Sequence, residues 1–366
     1  MMDNEQIQPL SPEKLLLKLK ENGVSIVESD VDRDIETIKR IGYYKLKEIV
    51  RYYVFEKNEK ISFEDLLKRY YFDKELRMNT LHAIEDIEIY LHNCIGELLG
   101  NKYGPFGYLD FKNWCDKNKF SRKEVKKDEI EFKKKLVKKA KKSRIPDLKE
   151  PKNFNSNSYP TIWLAMEVLT LGELVFLYKR MSIYNKKIIA TKFHTNQTEL
   201  LSWLECLNLI RNICCHNSNL VNIKLTTKPK IPSEYKEALY EFDGKETNRL
   251  ALTLVIIKRM MGSVNPKYDY SKLNKTLLKL IEQKKVGNDI LTKDKNAQLL
   301  GFNKASDINK VFPKRNPRNK RRSKRKKKYN RWNKKVPRER LGTRRYTVRH
   351  NFSISSFFIY VNGTKV

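Results

Sequence analysis

The chain has 366 residues, of which 40% are hydrophobic, and it carries a formal net charge of +34. This length allows one large or two modest domains with a sizeable core, and the charge favours a polyanionic partner. No apolar run reaches the roughly 18 residues that a membrane span needs, so we expect no membrane partner. The five cysteines are odd in number and lie mostly in apolar surroundings, which indicates reduced thiols in a cytoplasmic protein.

Helical spacing of apolar residues dominates the chain and predicts an all-α protein. Short helices are predicted over 11–58, broken at Gly23 and Gly42, and Leu66–Leu99 is predicted to form one or two long helices. Residues 121–142 form a strongly basic helix with a thin apolar stripe, which we interpret as a solvated arm or an arm facing RNA. Further helices are predicted at 161–181, 185–193, 197–216, 233–261 and Leu273–Lys285.

These patterns divide the chain into four parts. They are an N-terminal helical region (1–60), a core (61–285), an extension (286–313) and a basic tail (314–366). The core contains a charged helical insertion at about 112–160. Lys314 to Arg349 carries +18 in 36 residues, with Tyr329, Trp332 and Tyr346 interleaved. Residues from 285 onward carry +21, so 1–284 keep +13 and the body is basic without the tail.

The helix predicted at 197–216 is almost wholly apolar until it reaches Arg211, Asn212 and His216. Polar groups in such a place need partners or they cost several kcal/mol. Asn212 and His216 are four apart and share a helix face, whereas Arg211 starts roughly 140° away around the axis. Arg supplies a fixed fork of donors for phosphate oxygens, and His exchanges protons near neutral pH. These residues suit metal-free cleavage of RNA, but an Arg and a His at this spacing also occur often by chance.

Two other patterns compete with this interpretation. Cys206, Cys214 and Cys215 beside His216 suggest zinc, but adjacent cysteines on a buried helix point in different directions, so we expect no metal and no cofactor. Arg77 and His82 repeat the Arg-x4-His spacing on the first long helix, although Asn does not follow the Arg.

Several separate segments form a distinctive series along the chain. They include Arg40 to Leu46 (RIGYYKL), Tyr71 to Arg77 (YFDKELR), Ala83 to Glu88 (AIEDIE), Tyr103 to Asp110 (YGPFGYLD), Leu171 to Leu174 (LGEL) and Trp203 to His216. In this order they resemble the Abi-like abortive-infection family (AbiD/AbiF type), whose core is a HEPN domain. The resemblance runs from about residue 12 to about 313 and excludes the tail. It departs from the family's frequent Ala-His-His at Cys214-Cys215-His216, and the Arg, Asn and His remain.

The resemblance implies a HEPN-type helical bundle and a metal-independent endoribonuclease of phage defence or a toxin–antitoxin system. Its products would be a 2′,3′-cyclic phosphate and a 5′-OH. Because such nucleases build one composite site from two motifs, it also implies a homodimer. A regulatory noncoding RNA is a further partner that it suggests. The catalytic candidates are Arg211, Asn212 and His216, and the supporting candidates are Glu85, Glu88, Asn217, Arg77 and His82.

A noncatalytic module that holds a structured RNA is the alternative from another class. Basic residues on the charged helix and in the tail are its candidate contacts, with an aromatic side chain to stack on bases. These RNA-binding candidates are Lys133, Lys134, Lys138, Lys139, Arg321, Arg322, Lys326, Lys327 and Trp332. A basic protein that compacts DNA through its tail is a weaker third alternative.

Overall fold

A computed structural model describes residues 9–51, 60–282, 285–286, 289–290 and 293–313. All of them belong to a compact unit that spans 1–315, and a second unit, 316–366, lies outside the described residues. The predicted basic tail, with its RNA-binding candidates Arg321, Arg322, Lys326, Lys327 and Trp332, therefore lies outside them as well. So does the stretch 352–361, in which apolar and polar residues alternate as they do in an edge strand. The predicted bounds at 60 and 285 stay a prediction.

Three short helices open the described chain: α1 (Pro12–Glu21), α2 (Val31–Ile41) and α3 (Tyr43–Val50). The helices break at Gly23 and Gly42, as the sequence predicted, and the structure gives both glycines a positive φ. A two-residue parallel pair, β1 (Val24–Ser25) and β2 (Ile61–Ser62), joins this region to the next helix with Val24 opposite Ile61. The three helices share a hydrophobic cluster of their own, which the start of the following helix completes.

The central element is α4 (Phe63–Tyr103), a single helix of 41 residues where the sequence left one or two open. Ser62 caps it by accepting a hydrogen bond from the Asp65 amide at 3.1 Å, and it ends before Gly104 at φ 79°. Its first turns bury Leu66 in the N-terminal cluster, and its later turns run through the larger core. Helices pack on several of its sides, which explains why its apolar residues follow no single stripe.

Around α4 lie α5 (Phe111–Trp114), α7 (Ile162–Met166), α8 (Leu171–Arg180), α9 (Ile183–Lys192) and α10 (Gln197–Cys215). The helix predicted at 161–181 is divided at 167–170, because Thr170 starts a new helix. Its hydroxyl and amide both meet the Glu173 carboxylate in a capping box. Each of these helices contributes side chains to the larger hydrophobic cluster.

The charged helix α6 (Arg122–Lys142) has the bounds that the sequence predicted, fixed by a capping box between Ser121 and Glu124. It is not a solvated arm, however. Its stripe packs into the larger core, and Phe132 and Leu136 are buried there. Buried Glu129 also accepts a hydrogen bond from the Phe111 amide at 3.2 Å, so the helix is held along one side.

The remaining described helices are α11 (Leu250–Val264), α12 (Ser271–Leu280), α13 (Lys293–Leu300) and α14 (Ala305–Val311). The prediction of helices over 233–261 was wrong for its first half. There a 3-10 turn, Ser233–Ala238, precedes a hairpin of β3 (Glu241–Phe242) and β4 (Lys245–Glu246). Gly244 at φ 70° makes the turn of this hairpin. A second antiparallel pair joins β5 (Lys285–Val286) and β6 (Asp289–Ile290).

The all-α class is confirmed, because helices form most of the described chain and its strands have two residues each. Assignment of the bundle to the HEPN type stays a prediction. No helix within the described ranges combines the length and the apolar character that crossing a membrane requires.

Candidate functional site

The predicted motif lies at the end of α10, where the helix stops in a defined turn. The Ser218 amide donates to the Ile213 carbonyl at 3.0 Å, and the Asn217 amide donates to the Cys214 carbonyl at 3.4 Å. Together with Asn217 at φ 57°, these bonds form a Schellman motif. His216 is therefore the residue at which the helix ends, and Asn217 takes the left-handed position that Asn tolerates.

The side chains of the motif are open to solvent. Asn212 and His216 are exposed, and Arg211 keeps 30% of its side-chain surface accessible. The only described partner of Arg211 is Glu88 on α4, whose Oε2 lies 3.7 Å from Nε. That distance is too long for a hydrogen bond, so the donors of the guanidinium stay available for an anion. A phosphate at this helix end would find both a charge and an unused donor fork.

The two glutamates proposed as supporting residues differ in their placement. Glu88 keeps 14% of its side-chain surface accessible and lies beside Arg211, where it limits the directions that the guanidinium takes. Glu85 is exposed, one turn earlier on α4, and makes no hydrogen bond or ion pair within the described residues. The geometry brings Glu88, and not Glu85, to the motif.

In the second Arg-x4-His pattern, the arginine already has hydrogen-bond partners within the protein. Arg77 is buried on α4, and its Nε donates to Asp73 Oδ2 at 2.9 Å while its Nη1 donates to Asn217 Oδ1 at 2.9 Å. His82 lies elsewhere, with Nδ1 2.8 Å from the Tyr268 hydroxyl. The donors of Arg77 are thus occupied by the protein itself. This geometry favours a structural role for Arg77. It also leaves His82 away from the turn at the end of α10.

Asp73 links α4 to the chain that follows the motif, and the sequence did not single it out for this role. Its Oδ1 accepts from the amides of Leu220 and Val221 at 2.8 and 2.9 Å. Burial raises the pKa of Asp73, opposed by hydrogen bonds from both amides and from Arg77. The available signal was the four-residue spacing of Asp73 and Arg77, which places a carboxylate and a guanidinium on one helix face.

Two residues of α3 also reach this turn. Lys45 Nζ donates to the Asn217 carbonyl at 2.8 Å, and Glu48 Oε1 accepts from the Asn219 amide at 3.4 Å. Neither contact is visible in the sequence, because about 170 residues separate the partners. The N-terminal helices therefore contact the segment that carries the motif.

Another histidine, His92, lies one turn after Glu88 on α4. His92 Nε2 is 3.2 Å from the Leu169 carbonyl, and because a carbonyl only accepts, this contact places a proton on Nε2. Burial lowers the pKa of His92, against the opposing charges of Glu88 and Glu167. The contact with Leu169 and the lowered pKa both favour the neutral imidazole of His92 as a hydrogen-bond donor.

The cysteines of α10 do not form a cluster. Burial raises the pKa of Cys206 to about 11 and that of Cys214 to about 12, whereas Cys215 is exposed. Cys206 Sγ lies 3.7 Å from the Thr253 hydroxyl, away from the motif's polar side chains. Among the described residues, no group of three or more His, Cys, Asp or Glu side chains is arranged to hold a metal ion.

The lysines of α6 fall into two sets. Lys133 lies 2.8 Å from Glu129 and Lys139 pairs with Glu173, so two of the four predicted RNA contacts have acidic partners. Lys134 and Lys138 are exposed and have no ion pair within the described residues. Five further lysines on the same helix share this state: Lys123, Lys127, Lys135, Lys141 and Lys142.

Fold and site together define an all-α protein with a solvent-open Arg-Asn-x3-His turn at the end of a buried helix. The chain belongs to the family of Abi-like proteins, whose family model matches residues 36–222, just over half of its length. Membership of this family suggests a role in abortive infection. The matched range contains both the motif and the Asp73–Arg77 pair. No curated protein and no solved structure matches the chain.

Proposed function

We propose that the protein is a metal-independent RNA endonuclease of an abortive-infection or toxin–antitoxin system. The observation that carries this proposal is the contrast between two arginines. Nε and Nη1 of Arg77 donate to acceptors within the protein, whereas Arg211 makes no hydrogen bond among the described residues and lies at the same helix end as exposed His216. An open cation and a proton carrier at one helix end suit a phosphodiester substrate.

In the proposed reaction, His216 removes the proton from the ribose 2′-OH, which attacks the adjacent phosphorus. The 5′ oxygen of the next nucleotide leaves as its P–O bond breaks and takes up a proton. The products are a 2′,3′-cyclic phosphate and a 5′-OH. Arg211 stabilises the charge on the phosphorane-like transition state, and Asn212 orients the phosphate or the imidazole. Glu88, whose Oε2 lies 3.7 Å from Nε, is the acidic neighbour of the Arg211 guanidinium.

A symmetric homodimer would place two such motifs against each other. The exposed face of α10 carries Leu209, Asn212 and His216 at spacings of three and four residues, and Leu209 is 44% exposed although apolar. In the other Arg-x4-His pattern, Arg77 already donates its hydrogen bonds within the protein. The second motif of a composite site would therefore come from a second copy of the chain.

The test of catalysis is His216→Ala, with His194→Asn as the matched control. His194 is also exposed, and Asn tolerates its left-handed backbone at φ 52°. We expect His216→Ala to lose about 10²- to 10⁴-fold in cleavage with RNA binding retained. The control should cut at the wild-type rate. Activity should survive EDTA, and a 2′-deoxy substrate should stay intact. Wild-type rates in His216→Ala would refute the catalytic role.

The test of the dimer is Leu209→Glu, with Leu17→Glu as the control. Both leucines are exposed, and Leu17 lies on α1. We expect the first variant to be monomeric by light scattering and inactive, whereas the control stays dimeric and active. A monomeric wild-type protein with full activity would contradict the composite site and return attention to Arg77 and His82.

The alternative function, a noncatalytic RNA-binding module, is favoured by the unpaired lysines of α6 and is compatible with cleavage. Replacing Lys134, Lys138 and Lys141 by Gln should weaken RNA binding and flatten its dependence on salt. The slope should fall by roughly 0.7 log units for each phosphate of a single strand that the variant no longer binds. The matched control replaces three exposed lysines of α1: Lys14, Lys18 and Lys20. Binding without cleavage by the wild-type protein would leave this alternative standing alone.

A further inference from the structure

The segment after the motif, 217–221, has no regular secondary structure, yet it is held from two helices. Five hydrogen bonds reach it from outside α10. They come from Arg77, from Asp73 to two amides, from Lys45 and from Glu48. The turn therefore takes its position from α3 and α4 as well as from α10.

Ending the helix does not require these contacts. The Schellman motif at Asn217 and Ser218 already provides donors for the carbonyls of Ile213 and Cys214 at the end of α10. The Asp73–Arg77 pair, with about 6% of each side chain exposed, carries a desolvation cost that a simple helix end does not need. An arrangement that costs stability without being needed for the helix end indicates a requirement for position.

The guanidinium suits a positioning role because its two engaged nitrogens have different acceptors. Nε is fixed on Asp73, so Nη1 is aimed in one direction, at Asn217 Oδ1. Asp73 in turn receives the amides of Leu220 and Val221, and this closes a loop of contacts around the turn. Because the planar fork of Arg has little freedom once one donor is fixed, a small error at α4 would move the whole turn.

We propose that Asp73, Arg77 and Asn217 form a brace, buried at Asp73 and Arg77 and exposed at Asn217, that positions His216 for catalysis. This inference rests on the proposed endonuclease function and adds three positioning residues to it. Asn217 directly follows His216, so the brace fixes the backbone from which the imidazole projects. Lys45 adds a contact from the N-terminal helices, which makes that region part of the site's support.

The test compares Asn217→Gly with Asn217→Asp. Gly accepts the left-handed backbone and removes only the acceptor for Arg77, whereas Asp keeps an acceptor oxygen of the same reach. We expect Asn217→Gly to lower kcat for RNA cleavage by about 10- to 100-fold with KM changed by less than about twofold. Asn217→Asp should recover most of the loss. If Asn217 had only a structural role, kcat would fall in both variants, and their melting temperatures would fall with it.

A second measurement does not depend on cleavage. The imidazole resonances of His216, one of five histidines, report its order by nuclear magnetic resonance, and amide exchange at Leu220 and Val221 reports the turn. In Asn217→Gly we expect the His216 resonance to broaden or split and these amides to exchange faster. Asn217→Asp should resemble the wild type in both.

The outcomes separate the two proposals. A wild-type protein that does not cut RNA refutes the endonuclease, and the resonance data then decide whether the brace orders His216. A wild-type kcat in Asn217→Gly overturns the positioning role. Equal losses in Asn217→Gly and Asn217→Asp, or an unchanged His216 resonance in Asn217→Gly, overturn it as well.

Discussion

Replacing Arg77 by Met tests the energetics of the brace, whose Asp73–Arg77 pair is buried. Met keeps much of the apolar volume of the Arg stem but removes the charge and both hydrogen bonds. The carboxylate of Asp73 would then stay buried without its guanidinium. Removing one partner of a buried ion pair costs about 3–5 kcal/mol in the free energy of unfolding. Because Asp73 still accepts from two backbone amides, we expect the lower end, about 3 kcal/mol.

The double variant Asp73→Asn with Arg77→Met should be more stable than Arg77→Met alone. The amide oxygen of Asn still accepts from Leu220 and Val221, and no charge remains buried. We expect this double variant to lose about 1–2 kcal/mol, which corresponds to the altered hydrogen bonds. A partial recovery on adding a second substitution is the signature of coupling between the two side chains.

Urea unfolding at pH 7, followed by circular dichroism, measures these differences through the transition midpoints. Lys39→Met is the matched control, because Lys39 and Glu36 form an ion pair on the exposed surface of α2, and its loss should leave the midpoint nearly unchanged. A midpoint for Arg77→Met equal to that of the control would refute the reasoning. So would a double variant that is less stable than Arg77→Met.

Three further predictions concern accessible and charged groups. Alkylation of the native protein by iodoacetamide should label Cys215 and spare the four buried cysteines, and the label should slow RNA cleavage because Cys215 precedes His216. Labelling of all five at equal rates would contradict this arrangement. Burial raises the pKa of Glu173, but hydrogen bonds from Lys139 and Thr170 outweigh it and leave the pKa below its ordinary 4.5. The carboxylate therefore stabilises the fold above pH 4.5 and loses this effect as the pH falls through its lower folded pKa, so the destabilisation by Glu173→Gln, measured by urea unfolding, should shrink in acid. Deleting residues 314–366, which carry a block of +18, should weaken RNA binding at low salt and flatten its salt slope while cleavage persists, and an unchanged slope would exclude the tail as an RNA contact.

Local chemistry allowed the sequence to predict several elements of this fold. The helix predicted over 121–142 from its thin apolar stripe is confirmed, and the structure shows that its start is fixed by a capping box between Ser121 and Glu124, which are only three residues apart. The positive φ at Gly23 and Gly42 has the same local origin. The division of 161–181 at Thr170 was missed, although the Thr170–Glu173 capping box is also local. The apolar residues on both sides of it concealed the break.

The sequence by itself identified the motif residues and the all-α class, and the missing Asn after Arg77 already set the second Arg-x4-His pattern apart. Only the tertiary structure showed which of the two arginines is bonded within the protein. Arg77 and Arg211 have the same spacing to a histidine, so periodicity gives them equal standing. The Arg77 guanidinium is occupied because its Nη1 donates a hydrogen bond to Asn217, which lies 140 residues away in the sequence. Arg211 is open because α10 ends there and the chain turns toward α3 and α4. Burial depends on which faces of distant segments meet, and spacing along one helix contains no information about that.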